Sequence, residues 1–133
     1  MQVDLVISAF RTMLLNYRNA HHGSTRLPAG MSIVGAEVAQ SYPCIQIQPN
    51  GGEGSVNFGM HVCDLQVTVW GQGAWDELMG IMAEVDRACN RKSGTEVVSP
   101  ILYCVATASP TQAGVGALKG WRAPYHIIAR ETP

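Results

Sequence analysis

Apolar residues recur at steps of three and four along the first twenty positions. Val3, Val6, Ile7, Phe10, Met13, Leu14 and Tyr17 are separated by Gln2, Asp4, Arg11, Asn16 and Arg18, a period that gathers the first set on one helix face. An amphipathic helix over residues 4–19 is expected. His21, His22, Gly23, Ser24, Pro28 and Gly30 then crowd residues 19–30, a composition that stops a helix and starts no other. That stretch reads as a long surface loop.

The pattern next shortens to a period of two. One short strand is expected within residues 31–38, although Gly35 and Ala36 dilute its β-propensity. Residues 42–48 are clearer, because Cys44-Ile45-Gln46-Ile47-Gln48 alternates after Pro43. The glycines at 51, 52 and 54 break the chain, so a hairpin with a long flexible tip over residues 50–59 is expected. Residues 61–70 form the best strand: Cys63, Leu65, Val67 and Val69 alternate with Asp64, Gln66 and Thr68. After Gly71-Gln72-Gly73, the residues Trp75, Leu78, Met79, Met82, Val85 and Cys89 return to helical spacing, with Asp76, Glu77, Glu84, Asp86 and Arg87 off that stripe. A second amphipathic helix over residues 74–90 follows, acidic at its start and basic near its end as the helix dipole favours. Residues 97–108 are rich in β-formers, with Pro100 confining their start to an edge or bend, and residues 109–116 read as a loop. In the last strand, residues 118–130, Trp121, Ala123, Tyr125, Ile127 and Ala129 share one face and Arg122 and His126 the other, while Pro124 suggests an irregularity.

The resulting fold class is α+β: an antiparallel or mixed sheet of about four to five strands packed against two amphipathic helices. A length of 133 residues fits one domain spanning 1–133. Hydrophobic residues make up 47% and charged ones 14%, against about 25% charged in ordinary soluble chains, which excludes disorder as the dominant state. A formal net charge of −1 supplies no overall basic field for nucleic acid or anionic lipid. Asp4, Arg11 and Arg18 interrupt the N-terminal apolar segment, so neither a membrane span nor an ordinary signal peptide is expected. A mean hydropathy of +0.06 with so few charges points to apolar surface left over for another subunit.

Candidate chemistry is sparse. His61 and Cys63 stand two apart on a strand and point to one face, but two ligands make no metal site, and Cys104 adds no fourth. Cys44, Cys63, Cys89 and Cys104 form no C-x-x-C pair and read as reduced, metal-free, buried residues. His21 and His22 read as solvated loop histidines. No nucleophile elbow or paired acid motif points to catalysis, and the glycines of residues 50–54 lack the Lys-Ser/Thr ending of a phosphate loop. Arg91 with Lys92, and Lys119 with Arg122, form small basic clusters. Trp70, Trp75 and Trp121 sit at element ends, where interface anchors often lie. Val56, Phe58 and Met60 alternate beyond the glycines and offer an apolar edge. These ten residues are the candidate interface; no catalytic, cofactor or metal residue is assigned.

The N-terminal helix, the segment Tyr42-Pro43-Cys44-Ile45-Gln46-Ile47, the strand from His61 to Trp70 leading into the helix that Trp75 opens, and the C-terminal strand pair together resemble the tail terminator (tail completion) and related minor tail proteins of long-tailed bacteriophages. The resemblance implies a structural, non-enzymatic protein without cofactor, located in the virion at the head-proximal end of the tail and assembled in the host cytoplasm. It implies a homohexameric ring that ends tail-tube polymerisation, with the tail tube protein on one side, a head-side connector or neck protein on the other, and DNA passing through the lumen without sequence-specific binding. The alternatives are another neck or head-tail connector subunit, a tube subunit itself, or, in a different class, a small ligand-binding domain or enzyme.

Overall fold

Two long strands set the frame. β4 (Met60–Gly71) and β8 (Leu118–Arg130) pair antiparallel without a break from Met60↔Arg130 to Gly71↔Lys119, which places Leu65, Val67 and Val69 beside Tyr125, Ala123 and Trp121 on one face. The computed structural model describes residues 2–21, 24, 25, 27, 32–34, 42–52, 54–56 and 59–131. On one side of this ribbon stand β2 (Cys44–Pro49), antiparallel to β4, and β1 (Ser32–Val34), parallel to β2; on the other stand β6 (Ile101–Ala106) and β5 (Lys92–Ser93). Two further strands, β3 (Gly54–Val56) and β7 (Thr111–Val115), pair with β4 and β8 respectively. The sheet is thus mixed, with six strands in succession and two beside them, more than the four or five that alternation suggests.

Both helices lie on one face of the sheet. α1 (Gln2–Ala20) buries Val3, Val6, Ala9, Phe10, Met13 and Leu14, and α2 (Trp75–Cys89) buries Leu78, Ile81, Met82, Val85, Ala88 and Cys89. These meet Ile45, Ile47, Cys63, Leu65, Val67, Val69, Tyr125 and Ile127 in one apolar cluster, with Phe10 edge-on to Tyr125 at 5.3 Å between ring centroids. The expected stripes of both helices are the faces that pack. Glu84 departs from expectation: placed off the stripe by its charge, it is buried between the helices, where the Tyr17 hydroxyl donates to Glu84 Oε2 at 2.6 Å and Arg87 Nη1 lies 3.4 Å from Oε1.

Two loop assignments are corrected by the pairing. The expected tip over residues 50–59 contains a strand: pairing resumes from Pro49↔Leu65 to Gly54↔Val62, with four positions on one strand against two on the other, so Gly51 and Gly52 lie in a bulge of a continuing ribbon, and residues 53, 57 and 58 lie outside the described residues. Gly51 and Gly52 have φ of 79° and 66°, and a Cβ on Gly52 would stand 2.5 Å from Asp64 Oδ2, so the bulge needs glycine there. Backbone bonds join Asn50 N–H to Asp64 O at 2.8 Å and Asp64 N–H to Gly51 O at 3.1 Å. Residues 109–116 contain β7, which small residues such as Ala113 and Gly114 disguise as a loop. In residues 31–38, Ser32–Val34 is the expected short strand; the rest lies outside the described residues, as does much of the 19–30 loop.

Pro124 sits in the middle of β8 without shifting the β4 register, opposite Gln66. Its carbonyl accepts from Thr107 N–H at 3.0 Å, on the side where β6 ends and β7 begins. In a strand the N and O of one residue point the same way, so the missing proline donor falls at the gap between those two strands. The irregularity expected there is a change of neighbour, not a bend.

Candidate functional site

The sequence candidates fall at opposite ends of the β4–β8 ribbon. At one end, β4 finishes in Trp70 and Gly71, α2 opens with Trp75, and β8 begins with Lys119, Gly120, Trp121 and Arg122. Trp75 and Trp121 meet edge to face at 5.8 Å and 78°, and Trp121 Nε1–H donates to the Trp75 carbonyl at 3.0 Å. Lys119 Nζ lies 5.9 Å from the Trp75 ring centroid, within range of a weak cation–π attraction. Alternation sends Trp70 to the other face, where its indole N–H donates to Gln46 Oε1 at 3.0 Å. Its ring lies over Gly120, where a Cβ would come within 2.8 Å of Trp70 Cε3. Arg122 is on that second face and exposed.

Met60 stands at the far end, half-buried, beside the Val56 backbone; eleven steps along β4 separate it from Gly71, about 35 Å. Phe58 and the Val56 side chain lie outside the described residues. Arg91 and Lys92 follow the C-terminus of α2, away from Trp75; Arg91 is exposed with φ of 57°, and Lys92 pairs with Glu96 at 3.3 Å. The structure therefore brings Trp75, Lys119 and Trp121 together on one face, places Trp70 and Arg122 at the same end on the opposite face, and leaves Met60, Arg91 and Lys92 elsewhere.

Sequence reasoning missed two features. A cavity of about 440 Å³ next to the tryptophan end is lined by Tyr42, Pro43, Gly73, Glu77, Leu78 and Ile81 among others; Tyr42 and Leu5, 40% and 46% exposed, are the large apolar side chains that stand clearly in solvent among the described residues. The apolar excess of the composition is otherwise mostly taken up by the core or by half-buried positions. On the helix-free face, His126 Nδ1 lies 2.7 Å from Asp64 Oδ1, a pair that Asp64↔His126 register creates and that residues 62 apart in sequence could not reveal.

Three buried thiols favour inert chemistry. Burial pushes the Cys104 thiol up to about 12 and raises Cys89 and Cys44 as well; such thiols stay protonated and are poor nucleophiles. The hydrogen bond to Glu84, followed by burial, raises the Tyr17 phenol. His61 and Cys63 do share the buried face, but Ile127 separates Cys63 from Cys104 across β8. Among the described residues, no group of three or more His, Cys, Asp or Glu is placed to hold a metal ion, and no helix is long and apolar enough to cross a membrane.

No family model and no curated protein matches the sequence. Among solved structures, a chain from the virion of a native gene transfer agent particle is similar in fold, with a TM-score of 0.62 over 92% of this chain and 96% of that chain, at 12% identity. At that identity the likeness is one of fold.

Proposed function

We propose that this chain is a structural protein of a long-tailed phage or phage-like virion, which acts as a single domain and forms a six-membered ring at the head-proximal end of the tail tube. One ring face imitates a tube subunit and docks on the last tube ring. The other lacks the surface that would accept the next ring and instead meets the head-side connector, while DNA passes through the lumen. The work is binding alone, without catalysis or cofactor.

The observation that carries this reading is the likeness, end to end in both chains, to a component of a virion particle. The buried, protonated thiols and the structural use of Trp75 and Trp121 agree with it. Native mass spectrometry of the purified chain is the test. One closed species of about six 14.3 kDa copies is expected; monomers alone, or open filaments of unbounded mass as a tube subunit would give, would overturn the ring.

A further inference from the structure

We infer that the outer edge of β7 is a strand-pairing surface for a second copy of this chain, whose β3 outer edge is the complement. The inference rests on the ring proposed above and specifies its contact. Residues 97–118 contain no Asp, Glu, Lys or Arg, 22 positions in succession, and β7 lies inside this run. Sheet edges of natural proteins are usually guarded by charge, by proline or by shortness. β5 has two residues and carries Lys92 and β1 has three, while β3, also three long, continues the β2 ribbon beyond the bulge; β7 has five, with Thr111, Gln112 and Gly114 exposed. Among the described residues, β8 is the only strand paired with it.

The hydrogen-bond phase tells which groups are open. Pro124 turns its carbonyl toward the β6–β7 side, so Arg122, Gly120 and Leu118 do too. Thr111, Ala113 and Val115, opposite them, spend their backbone groups on β8. Gln112 and Gly114 therefore present N–H and C=O outward; Pro110 precedes them with no donor to offer. Asp64 bonds Asn50 and Gly51, so even-numbered β4 residues face β3; Gly54 and Val56, opposite Val62 and Met60, turn inward and Ser55 outward.

Placement and direction fit a head-to-tail contact. β3 flanks Met60–Val62 on one side of the β4–β8 ribbon, and β7 flanks the opposite end on the other side. A contact joining two different edges repeats from copy to copy and generates a ring or filament, not an isologous pair. Within one chain β3 and β7 run in opposite directions, since each of the three intervening pairings is antiparallel, so copies in the same orientation pair β7 with β3 antiparallel.

Gln112→Pro and Ser55→Pro each remove one outward N–H and no inward bond. Light scattering after size exclusion, across a wide concentration range, reads assembly; circular dichroism and melting read the fold. Each variant is expected to keep wild-type melting while its assembly midpoint rises at least about tenfold, and the double variant to assemble no better than either single one. Should Gln112→Pro melt earlier, Gln112→Lys, which puts a guarding charge on the same edge, must show the same shift. Variants that assemble at wild-type concentration, while the wild type forms its ring, overturn this pairing and leave the ring standing. A wild type monomeric throughout removes both.

Discussion

Tyr125 carries a hydroxyl into the middle of the core with no hydrogen-bond partner there. The residue is 1% exposed, its ring packs edge-on against Phe10, and its oxygen has no partner among the described residues. Tyr125→Phe keeps the ring and removes only that oxygen. An unsatisfied buried polar group costs about 1–3 kcal/mol relative to water. The vacated space, on the order of 10 Å³, returns only about 0.2–0.3 kcal/mol at about 24 cal/mol per Å³. The balance is a stabilisation of about 1–3 kcal/mol, or roughly 3–10 °C in Tm for a chain of this size. Burial also holds the Tyr125 phenol well above its ordinary range, so the variant should lose less stability than wild type in alkali. Paired urea titrations at neutral pH and in alkali, with unchanged slope, are the assay. A variant destabilised by more than about 1 kcal/mol would show that the hydroxyl is satisfied in solution and that the reasoning about this core is wrong.

Three further outcomes are expected. Tyr17→Phe should cost about 1–2 kcal/mol in urea melts, because it removes a hydrogen bond to the buried Glu84 carboxylate that ties α1 to α2; a neutral effect would place Glu84 in water. Gly120→Ala should cost about 1–3 kcal/mol by driving a methyl into Trp70 and the Val69 carbonyl, while Gly114→Ala, whose Cβ meets nothing closer than 3.6 Å, should stay within about 0.5 kcal/mol. The Cys104 thiol ionises from about 9.0 when unfolded and about 12 when folded; the native state then holds the extra proton. Its contribution is therefore complete below pH 9 and is lost as pH rises toward 12, at up to about 1.4 kcal/mol per pH unit. Urea melts at several alkaline pH values should show Cys104→Ala with the shallower slope, and equal slopes would mean that the thiol is not buried.

Periodicity exposed most of the fold where one face is buried and the other wet. Val6, Phe10 and Leu14 on α1, Leu78, Met82 and Val85 on α2, and Leu65, Val67 and Val69 on β4 all carried their burial in their spacing, and β8 has its expected bounds. β7 escaped because Ala113 and Gly114 lack the branched side chains that mark a strand, and its place is dictated by β8. The bulge at Gly51 and Gly52 escaped for a related reason: glycines at positive φ read alike in a tip and in a ribbon, and only Asp64 across the pair distinguishes them. Deleting residues 51–55, which would be harmless in a loose tip, removes most of β3. Glu84 was misplaced because charge was read as exposure without its Tyr17 partner. The tryptophans announced themselves by type and by position at element ends, but their division between two sheet faces follows from alternation along β4 and from the close approach of Trp70 to Gly120.

Electron microscopy of particles produced with and without this chain tests the proposed role most directly. With it, tails should be uniform in length, carry a six-fold ring at the head-proximal end and join heads; without it, tubes should overgrow and remain headless. Tails of normal length joined to heads in its absence would contradict the role as the element that ends the tube.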